Sequence, residues 1–220
     1  MRLSKEIQAL VGKEIRLELK QKYVINGILL YLVATIFVTY LAFESVITPE
    51  TWNSLFWIIL LFIAVNSISK SFIQENPARH IYYYTITSPQ AVALSKIIYN
   101  LFLMAILSVL SFVFFVLLMG NQVVNIPLFL LALILGSLGL SSVLTMVAAI
   151  ASRASYNFSL MAILSFPIVL PLLGALMTIS RTALSGPDWS GMGVFIAILL
   201  TINLVVIILA YVLFPYLWKD

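Results

Sequence analysis

The sequence predicts an all-α integral membrane protein with six transmembrane helices, both termini cytoplasmic, and an amphipathic interfacial helix before the first crossing. Three observations carry that prediction. Of 220 residues, 63% are hydrophobic and only 9% are charged, with a mean hydropathy of +1.13. A soluble domain carries roughly 25% charged residues. The stretches 24–43 and 51–69 hold no charge, and no Asp, Glu, Lys, Arg or His occurs between Lys96 and Arg153. Of the twelve Lys and Arg residues, all but Arg181 fall on one side of the ladder of apolar runs, which the positive-inside rule assigns to the cytoplasm.

The first element, residues 1–23, alternates charge and apolarity at helical spacing. Leu3, Ile7, Val11 and Ile15 make an i, i+4 ridge with Leu10 alongside, and Lys5, Glu6, Lys13, Glu14, Arg16, Glu18 and Lys20 cover much of the rest. It reads as a helix resting on the membrane surface or as a solvated juxtamembrane helix that supplies positive charge. It lacks the short apolar core and small-residue cleavage site of a signal peptide.

A crossing of the roughly 30 Å hydrocarbon core takes about 20 apolar residues. Spans are predicted at about 24–43 and 52–69, the second with Trp52 and Trp57 as interfacial anchors at its outer end. The polar stretch 70–96 follows on the cytoplasmic side. The charge-free segment after it is too long for one helix, and Gly120-Asn121-Gln122 and Asn125-Ile126-Pro127 split it into spans at about 97–119 and 127–151. A tight loop at 152–157 leads to the fifth span, about 158–180, and the loop 181–193 to the sixth, about 194–214. These elements fill 1–220 as one membrane domain, so a catalytic engine is expected on another chain.

Composition excludes several chemistries. With no cysteine, the chain holds no disulfide, thiolate metal site, Cys-pair haem attachment or thiol redox centre. There is no G-x-x-x-x-G-K-[ST] loop, and Gly12-Lys13 lacks the glycine-rich turn that wraps a phosphate. No span carries the acidic or basic residue that ion-coupled pumps use, nor paired carboxylates, a His cluster or a Ser–His arrangement. The net charge of +4 is read as topology rather than nucleic-acid affinity. If the chain transports, the energy enters from elsewhere.

The stretch 70–96 is the most informative locally. Ser88 before Pro89 is an N-cap followed by Pro at the first helical position, so a helix is expected from Pro89 through Lys96 directly into the third span. Before it lies an amphipathic piece with Glu75, Pro77, Arg79, His80 and Tyr83. Such a polar-aromatic patch reads either as a docking site for another protein or as a connector with interfacial tyrosines. Pro167 and Pro171, four residues apart, share a face of the fifth span, and each removes a backbone donor; they predict a helix bend, either a moving hinge or a static kink. Ser137-x-x-x-Ser141 in the fourth span makes a small-residue face suited to close helix packing.

An amphipathic N-terminal helix, six spans, and a Glu-containing loop ending in Thr87-Ser88-Pro89-Gln90-Ala91-Val92-Ala93-Leu94-Ser95-Lys96 together resemble the ABC-2 type of ABC-transporter permease. With the double-proline stretch Phe166-Pro167-Ile168-Val169-Leu170-Pro171-Leu172-Leu173 and the short length, the chain is similar to the CcmB family, haem exporter protein B of cytochrome c maturation. The resemblance implies an ABC-2 exporter-like fold in the bacterial inner membrane and a CcmA-like ATPase docking from the cytoplasm. It also implies CcmC- and CcmD-like membrane partners, delivery to a CcmE-like haem chaperone, and a homodimer of permeases. Glu75, Pro77, Arg79, His80, Tyr83, Ser88, Pro89 and Arg153 are then the candidate ATPase-coupling residues. ATP is expected on the partner subunit, and hydrolysis there drives either haem export or release of the loaded chaperone.

Haem is a candidate substrate rather than a stably bound cofactor. His80 is the sole histidine and lies in the cytoplasmic loop, and no Met or Tyr is paired with a His. Met177 near the outer end of the fifth span and Met192 in the following loop are the tolerable axial candidates, but are read as packing or interface residues. Two other readings stay open: an ABC-2 exporter of a drug or lipid, and a non-transporting scaffold for haem assembly.

Overall fold

The computed structural model describes residues 2–20, 22–43, 47–73, 87–153, 158–186 and 189–217. In chain order the described residues form α1 (Arg2–Lys20), α2 (Lys22–Phe43), α3 (Pro49–Ile73), α4 (Pro89–Met119), α5 (Ile126–Arg153), α6 (Phe158–Ser185) and α7 (Met192–Leu217). The six helices from α2 to α7 are each long and apolar enough to cross a membrane. The chain is an all-helical integral membrane protein.

Local chemistry sets the helix ends. Pro49 and Pro89 occupy the first helical turn, where a missing N–H costs nothing. Thr48 accepts from the backbone N–H of Thr51 through Oγ1 (3.3 Å) and from that of Trp52 through its carbonyl (2.9 Å). α4 ends at Gly120, whose φ of +79° suits glycine. In the turn that follows, Asn125 caps α5 by accepting from the Leu128 N–H (3.2 Å), while Val124 and Asn125 donate backbone N–H groups to the Ala183 carbonyl. The α4–α5 turn is thereby pinned to the end of α6.

α5 is the hub. In its apolar window 78% of residues are buried, against 17% for α2 and 22% for α7, which lie at the periphery. Two glycines let neighbours approach it. A Cβ at Gly136 would stand 2.8 Å from the Trp57 ring of α3, and one at Gly139 would stand 2.5 Å from Leu172 of α6 and 3.1 Å from Asn203 of α7. The small-residue stretch of α5 therefore serves packing, as its spacing suggests. Serines and an asparagine add polar rungs between antiparallel α4 and α5: Ser108 with Ser137 (2.8 Å) and Asn100 Nδ2 donating to Thr145 Oγ1 (2.9 Å).

Trp52 and Trp57 differ from their reading as interfacial anchors. Both are fully buried. Trp52 stacks on Phe56 (5.7 Å) and meets Phe115 and Phe129 edge-on (4.9 and 5.9 Å), and its Nε1 donates to the Gly120 carbonyl (3.2 Å). Trp57 Nε1 donates to Ser180 Oγ (2.7 Å), and Ser180 Oγ lies 2.7 Å from Asn53 Oδ1. Asn53 Nδ2 in turn donates to the Met177 carbonyl (3.0 Å). The indoles find their hydrogen-bond partners inside the protein, so they knit α3 to α6 and to the α4–α5 turn instead of seeking head groups.

Candidate functional site

α1 is where the described residues concentrate charge, and its charges are sorted by face. On a 100° wheel Glu14 and Glu18 fall within about 20° of Ile7, on the apolar ridge itself, and Leu10 lies beside them. Lys5, Arg16 and Lys20 fall on the opposite face and are exposed. The inner face, acids included, packs against α4.

Three contacts make that seam. Glu6 Oε2 accepts from Ser88 twice, from its Oγ (2.9 Å) and its backbone N–H (3.3 Å). Glu14 Oε1 lies 3.8 Å from Lys96 Nζ and 2.9 Å from Lys13 Nζ. Tyr99 donates its hydroxyl to Glu18 Oε2. The partners advance in step, 6, 14 and 18 on α1 with 88, 96 and 99 on α4, so the two helices lie side by side and point the same way.

Lys96 is only 2% exposed, and a charge so buried persists only with compensation, here from Glu14. The surface helix and the head of the third span are thus one clasped unit. On its outer face a shallow cleft of about 470 Å³ is lined by Gln8, Lys13, Arg16 and Lys20 among others.

α4 is longer than one crossing requires. Its 31 residues reach about 46 Å at 1.5 Å per residue, against a hydrocarbon core of about 30 Å. Ser88 is extended (φ −74°, ψ 140°), and its carbonyl accepts from the Ala91 and Val92 N–H groups. Its hydroxyl does not cap the helix. It turns instead to Glu6, so the expected N-cap residue caps through its backbone while its side chain ties α4 to α1.

Of the other residues read as coupling elements, Pro89 is the first residue of α4 and Arg153 the last of α5. The Asn100–Thr145 rung between antiparallel helices places both at one end of the bundle. Glu75, Pro77, Arg79, His80 and Tyr83 lie outside the described residues. Pro167 and Pro171 sit inside α6, which continues through both, and both are exposed, while Val169 and Leu172 face the bundle. Met192 is buried, and Met177 packs against the same core. Sequence reasoning missed the seam because it counted the glutamates as solvent-facing. For Glu14 and Glu18 the wheel positions on the Ile7 face were the signal; Glu6 lies about 100° from Ile7 and gave none.

The family model described as CcmB protein matches residues 5–216, from within α1 to within α7. The chain belongs to the CcmB family. No curated protein and no solved structure matches it. As a CcmB protein it is a permease-type, multi-pass membrane component of the haem exporter for cytochrome c maturation. The match takes in both α1 and the head of α4, so the clasp belongs to the CcmB domain itself.

Proposed function

We propose that the α1–α4 clasp is where this CcmB protein receives the work of ATP hydrolysis. A separate CcmA-like ATPase, docked at the basic side in the cytoplasm of a bacterium, pushes on α1 and on the head of α4. The clasp makes the two move together, and α4 carries the displacement into the bundle, where it is rung to α5. Glu75, Pro77, Arg79, His80, Tyr83, Ser88, Pro89 and Arg153 contribute to the same docking face. Pro167 and Pro171 weaken the backbone ladder of α6 and allow it to bend in response.

In this reading two permease copies assemble in the inner membrane with CcmC- and CcmD-like proteins. The stroke ends in haem export or in release of a haem-loaded CcmE-like chaperone. The single observation that carries the reading is the seam of Glu6–Ser88, Glu14–Lys96 and Glu18–Tyr99, which couples a charged surface helix to a span. Packing at the hub supports a haem path outside the centre of one bundle, since Trp57, Leu172 and Asn203 fill the notches at Gly136 and Gly139.

The test is co-purification with the ATPase and hydrolysis by the complex. Replacing Lys5, Arg16 and Lys20 together by Glu is expected to release the ATPase and abolish c-type cytochrome maturation without lowering the melting temperature of the permease. Glu75→Ala and Arg79→Ala are expected to leave hydrolysis running but uncoupled from maturation. Normal maturation in all of these variants would remove the docking assignment.

A further inference from the structure

Below the clasp the structure leaves a second feature, between α2 and α4. A half-open groove with a cavity of about 210 Å³ is walled by Ile25 and Leu29 of α2 and by Phe102, Leu103, Ile106 and Leu110 of α4, with Glu18 and Tyr99 also lining it. From Tyr99 to Leu110 the wall runs about 16 Å along α4, close to half of a hydrocarbon core of about 30 Å. It is therefore one leaflet deep.

A transmembrane helix seated here would need a groove continuing through both leaflets. A single acyl chain needs only one. Phe102 and Ile106 are 59% and 43% exposed, so the groove opens sideways to lipid.

Its polar end decides what else the occupant carries. Glu18 uses Oε2 to accept from Tyr99, and a carboxylate has about four lone-pair sites, so acceptor capacity remains. Among the described residues, no Lys or Arg lines the groove. An anionic head group finds no cation among those described residues, and a quaternary ammonium has no N–H to donate. A primary ammonium supplies both the charge and the donors.

We propose that this groove binds one acyl chain of a phospholipid whose head group carries a primary ammonium, with the ammonium on Glu18. The site does not depend on the ATPase-coupling reading and is tested without an ATPase. The full chain is placed in nanodiscs of phosphatidylcholine alone, or of phosphatidylcholine with either phosphatidylethanolamine or phosphatidylglycerol, then extracted into mild detergent and weighed by native mass spectrometry.

The expected result is a retained phosphatidylethanolamine, favoured severalfold over the other two lipids. Glu18→Gln keeps an oxygen for Tyr99 but loses the charge, and should retain lipid without that preference. Ile106→Trp fills the groove from its exposed wall and should lose the retained lipid, with folding checked by its melting temperature. Equal retention of the three lipids by the unmodified chain would overturn the proposal. So would an unchanged preference in Glu18→Gln, or efficient cross-linking of Ile106→Cys to a second copy or a co-purified subunit, which would mean that protein covers the groove.

Discussion

Lys96 and Glu14 are unequal partners. The lysine is 2% exposed at its side chain and the glutamate 11%, and Glu14 also has Lys13 at 2.9 Å. Removing the carboxylate leaves the more deeply buried charge with less compensation, whereas removing the lysine leaves a carboxylate that still has a cation beside it. Breaking a buried pair from one side costs about 3–5 kcal/mol. Glu14→Gln is therefore expected at the upper end of destabilisation and Lys96→Met well below it, measured as melting temperatures of the purified chain in one detergent. Ser180 is a second residue on which much converges, since it accepts from Trp57 and meets Asn53. Ser180→Ala strands buried polar atoms and should cost about 1–3 kcal/mol. The emission of Trp57 should shift at the same time, a change that Thr178→Ala, whose hydroxyl only back-bonds to Gly174 of the same helix, should not produce.

At the level of the helix, the notches on α5 rank themselves. An added methyl at Gly136 meets the rigid Trp57 ring, which Ser180 holds in place, while one at Gly139 meets the flexible end of Leu172. Overpacking costs about 1–3 kcal/mol. Gly136→Ala should lie near the top of that range and Gly139→Ala near the bottom, by thermal unfolding. The six apolar helices were legible in the sequence because hydrocarbon tolerates no charge and demands a minimum length. The faces of those helices were less legible. In α3 every residue from Leu55 to Val65 is apolar, so nothing in the pattern of that run says that Trp57 turns inward to Ser180. Periodicity loses its contrast when lipid and core are equally apolar. In α1, where charges are present, the wheel did hold the answer, because acids on an apolar face imply a neighbouring helix with donors. For α6, Pro171→Ala restores a backbone donor and is expected to raise the melting temperature while lowering cytochrome c maturation in cells, if bending there is part of the cycle.

For the whole molecule the bias of basic residues predicts which loops meet which compartment. Because the chain has no cysteine, single-cysteine labelling is clean. Arg181→Cys is expected to react with a membrane-impermeant maleimide in intact spheroplasts, and Lys5→Cys only after permeabilisation. The reverse pattern would invert the protein. The seam between α1 and α4 also has a meaning for synthesis. Glu6 leaves the ribosome 82 residues before Ser88, and Glu18 81 residues before Tyr99. At about 5–20 residues per second, that is roughly 4–16 s. Through that interval the acids on the apolar face of the first helix lack their α4 partners, so water is its better solvent and it stays at the surface while two spans enter the bilayer. Its docking has to follow the arrival of α4, so protection of the N-terminal helix from protease marks the moment when the third span is home.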